Sequence, residues 1–152
     1  MNLASVDPAL IDAIGRVESG HNTAAIRFEP ALFARPLTTA ALVIVQRIMR
    51  ANNCGATTAH MIYSTSWGEF QILGENLYSV CDWRGTISRY LANTDDVQSD
   101  SLGAFLMAKR LDFTAADLLG DDAKLTQFVT GYNGPGNTAQ YSARLLEALR
   151  TP

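Results

Sequence analysis

Apolar positions recur at intervals of three and four along most of the chain, the pattern of helices that bury one face. Leu10, Ile11, Ile14 and Val17 form the first such stripe. Asp7 before Pro8 marks its start, because an aspartate accepts from the free amides of a first turn and proline is tolerated at the first helical position. Gly20 is the natural stop. A more hydrophobic segment from about Thr38 to Ala51 reads as a second helix on its length, although Val43-Ile44-Val45 has strand propensity. Pro30 and Pro36 punctuate the irregular stretch between the two. A polar, glycine-containing loop is expected from Asn52 to Thr65. Ser66-Trp67-Gly68-Glu69 then has the spacing of a capping box, which predicts a short helix ending near Gly74. Further helices are expected at roughly 84–92, 97–111, 115–119, 121–131 and 138–150. Nothing repeats and no low-complexity linker interrupts the pattern, so residues 1–152 are expected to form one mainly α domain with little or no β structure.

Composition narrows the function classes. A chain of 152 residues builds a sufficient core without metals or disulfides, and 47% hydrophobic residues exclude wholesale disorder. Twelve Lys plus Arg against 15 Asp plus Glu give a net charge of -3, which argues against nucleic acid as a partner. The longest aliphatic run, Ala40 to Val45, is far too short to cross a bilayer, so no stable membrane association is expected. No basic segment followed by an apolar one opens the chain, and the expectation is synthesis in the cytoplasm without a secretory signal. Cys54 and Cys81 are then reduced and structurally incidental. Neither they nor the isolated His21 and His60 have the spacing of a metal site, so no metal and no cofactor are expected.

Three constellations carry candidate chemistry. Glu18, in Val17-Glu18-Ser19-Gly20, falls on the same face as the first apolar stripe, in the last helical turn. Burial at the rim of a core and a helix C-terminus both favour the neutral acid, which suits a proton donor. The competing reading is a frayed end with Glu18 in water. Ser64 to Ile72 and Gly131 to Asn137 each set amides and aromatics beside glycines, a combination suited to a sugar with acetamido groups. Taken singly, Trp67 and Phe70 read equally well as core, and Tyr132-Asn133-Gly134 as a helix end followed by a turn.

In this order, the three segments resemble the lysozyme-like superfamily of peptidoglycan-cleaving enzymes. More narrowly, Val17-Glu18-Ser19-Gly20, Arg27-Phe28-Glu29-Pro30 with Phe33, Ser66-Trp67-Gly68-Glu69-Phe70-Gln71-Ile72-Leu73-Gly74 and Tyr132-Asn133-Gly134-Pro135-Gly136 resemble the N-acetylmuramidase domain of bacteriophage endolysins. The resemblance runs from about residue 8 to about residue 149. It implies a monomeric bacteriolytic glycosidase acting on peptidoglycan, with Glu18 protonating the oxygen between N-acetylmuramic acid and N-acetylglucosamine. It implies a groove lined by Ser66, Trp67, Phe70, Gln71, Tyr132 and Asn133. His21 and Ala31 stand where the family's motif often has glycine and histidine.

Glycoside hydrolysis ordinarily uses two carboxyl groups. Glu29 is the candidate partner of Glu18, its alternative being an ion pair with Arg27 or Arg35 or a helix cap; Glu69 is expected to be occupied by the capping box. Without a second carboxylate, attack by the muramyl 6-hydroxyl would make the chain a lytic transglycosylase. A noncatalytic wall-binding module is the third possibility. The acidic net charge leaves affinity for an anionic wall either to the groove or to a basic patch of Arg27, Arg35, Arg47 and Arg50.

Overall fold

A computed structural model describes residues 6–151. Residues 1–5, on which the expectation of no secretory signal partly rests, lie outside the described residues. The first helix, α1, spans Pro8–Ser19; Asp7 caps it by accepting from the Ala9 amide, and Gly20 ends it in the left-handed region at φ 64°. Leu10 and Ile14 are fully buried, each contributing about 1.5–3 kcal/mol of transfer free energy. The other oxygen of Asp7 accepts from the Ala115 amide, tying the start of α1 to a helix late in the chain.

The second expected helix is α3, Thr39–Asn52, capped by the Thr38 hydroxyl. Between α1 and α3 lie a three-residue strand, β1, Ile26–Phe28, and a single helical turn, α2, Pro30–Phe33. Two expectations fail in the next segment. The presumed loop contains a helix, α4, Ala56–Tyr63, whose Ala59, Ile62 and Tyr63 are buried against α3. Its sequence, Ala-Thr-Thr-Ala-His-Met-Ile-Tyr, is too polar at its start to announce a helix, and packing supplies what propensity does not.

The presumed capping box is instead part of a hairpin. Strands β2, Thr65–Trp67, and β3, Ile72–Leu73, join β1 in an antiparallel sheet of order β1-β2-β3. Gly68 and Gln71 adopt positive φ, 73° and 48°, which turns the chain back and makes a helix impossible there. The Glu69 amide is bonded to the Gln98 side chain, not to Ser66.

The remaining helices follow expectation closely: α6 at Ile87–Ala92, α7 at Val97–Lys109, α8 at Ala115–Gly120, α9 at Asp122–Asn133 and α10 at Thr138–Arg150, with a short α5 at Gly74–Ser79 that sequence alone did not announce. A 3₁₀ turn, Thr94–Asp96, precedes α7. A true capping box does occur at Thr114 and Asp117, at the start of α8. The chain is therefore mainly α with one small sheet. Helix α1 packs on α10, and α10 on α8 and α9, so the first and last helices share one core.

Gln98, fully buried on α7, ties this helical layer to the sheet. Its amide nitrogen donates to the carbonyls of Thr23 and Tyr90, and its oxygen accepts from the Glu69 amide at the hairpin turn. A second tie joins the same turn to α1: His21 Nδ1 lies 2.6 Å from Glu69 Oε1, with Asp12 Oδ1 3.4 Å from Nε2. Gly15 makes that contact possible, since a Cβ there would stand 2.5 Å from Glu69 Oε1.

Candidate active site

A cleft of about 660 Å³ opens between the sheet and the helices. Residues of β1, α2, β2, β3 and α5 line it on the sheet side; α7 and α9 contribute Phe105, Lys109 and Gly131 to Asn133; Glu18 enters from the end of α1. Sheet register places one row of its lining. Arg27 pairs with Ser66 and Ser66 with Leu73, so these three stand in one row across the sheet, and all three line the cleft. Trp67, one residue along, projects from the opposite face.

Trp67 is the one expected groove residue that does not line the cleft. It is buried, and its indole nitrogen donates to the Ile62 carbonyl, so the core reading of this side chain is the one realised. Ser66, Phe70, Gln71, Tyr132 and Asn133 do line the cleft. The Gln71 amide donates to the Gly68 carbonyl at 2.9 Å, which fixes its side chain at the hairpin turn. Asn133, the last residue of α9, donates to the Gly136 carbonyl at 3.3 Å. Tyr132 donates to the Phe70 carbonyl at 2.9 Å and stacks on Phe128 at 5.6 Å, while Phe105 meets it edge-on at 5.7 Å.

Glu18 sits against this aromatic wall. Tyr141, on α10, donates to its Oε1 at 2.7 Å, and the Tyr132 and Tyr141 rings are 6.2 Å apart. Burial pushes the Glu18 carboxyl above the usual carboxylate range; the Tyr141 hydrogen bond and the charges of Arg27 and Arg144 pull in the opposite direction without cancelling that effect. Arg144 is held nearby by a hydrogen bond to the Val17 carbonyl. A carboxyl so placed keeps its proton to higher pH than an exposed glutamate does.

Glu29 lies in the same cleft and makes the ion pair with Arg27, at 2.7 Å; it does not cap α2 with its side chain. The Ser66 hydroxyl approaches the same oxygen, Oε1, at 3.5 Å. The Glu29 backbone amide donates to the Ser64 carbonyl, which fixes Glu29 beside β2. Glu69 is turned away from the cleft, toward His21.

The model for the N-acetylmuramidase family matches residues 44–151. The endolysin of Enterobacteria phage PRD1 is 35% identical over 144 residues, which cover 93% of this chain and 94% of that protein. The chain belongs to the N-acetylmuramidase family. No solved structure matches it. The family match begins in α3, whereas the alignment with the phage endolysin spans nearly the whole chain.

This muramidase is thus a peptidoglycan-cleaving glycosidase of the endolysin type. Several of its cleft residues carry no motif: Arg35, Glu75, Asn76, Phe105 and Lys109 line the site, and Tyr141 and Arg144 act on Glu18 from behind. The available signal for Tyr141 was its place one turn before Leu145 on the buried face of α10, a polar group where the pattern asks for an apolar one. The expected basic patch is divided. Arg27 and Arg35 line the cleft, whereas Arg47 and Arg50 line a separate surface pocket with Arg84. His60 stacks on Phe33 at 4.4 Å, and among the described residues no group of three His, Cys, Asp or Glu is arranged to hold a metal ion. Cys54 and Cys81 are free thiols; burial pushes Cys81 up to about 12. No helix among the described residues is long and apolar enough to cross a membrane.

Proposed function

We propose that Glu18 is the general acid of this muramidase, donating its proton to the glycosidic oxygen between N-acetylmuramic acid and N-acetylglucosamine. The observation that carries the reading is a half-buried carboxyl, pushed up by desolvation, at the edge of a sugar-sized cleft. Loss of the sugar as leaving group develops positive charge at the anomeric carbon, and Glu29 is the carboxylate available to stabilise it or to direct water onto it. Arg27 and Ser66 both engage Oε1 of Glu29, which leaves Oε2 for that task. Ser66, Phe70, Gln71, Tyr132 and Asn133 form the sugar-binding surface, Gln71 and Asn133 supplying amides for acetamido groups while the buried Phe70 ring and the packed Tyr132 ring shape the floor.

The reaction is hydrolysis by a single catalytic unit acting as a monomer. The enzyme is made in the cytoplasm and reaches the wall through a route opened by another protein. Replacing Glu18 by Gln keeps the shape and removes the proton; peptidoglycan clearing should fall by about 10²–10⁴-fold. Near wild-type clearing by that variant would refute the assignment. Mass spectrometry of the digest should show reducing muramic ends; anhydromuramic ends would identify a transglycosylase instead, and wall binding without cleavage a noncatalytic module.

A further inference from the structure

We propose that Arg35 and Lys109 take the free carboxylates of the peptide stems carried by muramic acid, so that the enzyme reads the peptide side of its substrate as well as the glycan. The inference rests on the muramidase reading of the cleft. Its starting point is a mismatch of charge: the chain carries a net -3, yet three cations line the cleft against two carboxylates, Glu29 and Glu75, once Glu18 holds its proton. Arg27 is spoken for by Glu29. Neither Arg35 nor Lys109 pairs with a carboxylate among the described residues.

The sugar backbone gives these two groups nothing to bind, because hydroxyl and acetamido groups are uncharged. Carboxylates enter the substrate through the peptide joined to the lactyl group of muramic acid. Both cations are exposed, as a group that meets a flexible branch must be, whereas Glu18 is sunk toward the core. They come from different parts of the chain, Arg35 just after α2 and Lys109 at the end of α7, and converge on one cleft. Lys109 is steered there by the Phe105 ring, 5.7 Å from its ammonium, and Arg35 presents the planar fork that matches a carboxylate.

Binding of the noncleaving Glu18→Gln protein to purified sacculi tests the inference, before and after carbodiimide coupling of ammonia to the wall's carboxylates. Amidation should weaken binding about fivefold or more, and Arg35→Gln with Lys109→Gln should give the same loss on native wall and none on amidated wall. Sacculi stripped of peptide by an amidase keep only the lactyl carboxylate and should bind as weakly as amidated ones. Binding indifferent to amidation, an equal loss on both walls, or stripped wall binding like native wall would each overturn the proposal. Should Glu18→Gln still cleave, the acid assignment falls, while binding at low temperature, where digestion is arrested, still reports on Arg35 and Lys109.

Discussion

Tyr141 donates a 2.7 Å hydrogen bond to Glu18 across 123 positions of sequence, joining the last described helix to the first. The bond favours the ionised carboxylate and so partly offsets the effect of burial. Tyr141→Phe removes it and raises the Glu18 carboxyl further. Under the proposed assignment the protonated acid is the active form, so the alkaline limb of the pH–rate profile should move to higher pH in this variant. An unmoved limb would separate Tyr141 from the titrating group.

The same burial makes Glu18 a stability liability above its own titration. A carboxyl raised in the folded state binds its proton more tightly there than in the unfolded chain, where it titrates near 4.5. The stability contribution is present in full below that value and is lost as pH rises through the folded-state value. Glu18→Gln carries no charge to bury and keeps an oxygen that can accept from Tyr141. Calorimetry should show the variant with a higher Tm than wild type at pH 8 and the difference shrinking toward pH 4.

Gln98→Leu is expected to be among the most damaging single changes outside the cleft. It leaves the Glu69 amide and the Thr23 carbonyl without the partner they have now, while the Tyr90 carbonyl keeps the Asn93 amide. At about 1–3 kcal/mol for each such group left unsatisfied, the expected loss is about 2 kcal/mol or more. That corresponds to a Tm lower by about 4–8 °C for a chain of this size. A loss below about 1 kcal/mol in denaturant unfolding would show that these groups find other partners.

Gly74→Ala tests how tightly the sheet is seated. A Cβ at Gly74 would lie 1.9 Å from the Ile62 carbonyl oxygen, a backbone atom that cannot swing aside. Displacing it costs about 3 kcal/mol, the upper part of the range for overpacking. Because β3 runs directly into α5 at this point, sugar binding should weaken together with stability. Alanine at Gly120, where nothing lies within 4 Å, is the control and should leave both unchanged.

The helices that obey a local rule were legible in the sequence. Asp7-Pro8 and Gly20 bracket α1 because capping is decided within a few residues, and the stripe of Leu10, Ile14 and Val17 fixed the face on which Glu18 would lie. Ser66 to Glu69 misled for the same reason: the spacing of a capping box says nothing of the positive φ at Gly68 and Gln71, which depends on β1 being available as a partner for β2. Trp67 was misplaced by one residue of strand parity, a quantity that exists only once the sheet does. Arg35, Lys109, Tyr141 and Gln98 carry no pattern of their own; their roles arise from neighbours distant in sequence.

The packing of α1 on α10 also has a temporal side. A ribosome makes α1 first and α10 last of the described elements, so the segment bearing Glu18 waits through most of synthesis without the helix that buries it and supplies its hydrogen-bond donor. The nascent chain therefore holds a solvated glutamate at this position, and its desolvated surroundings come into being only when α10 docks.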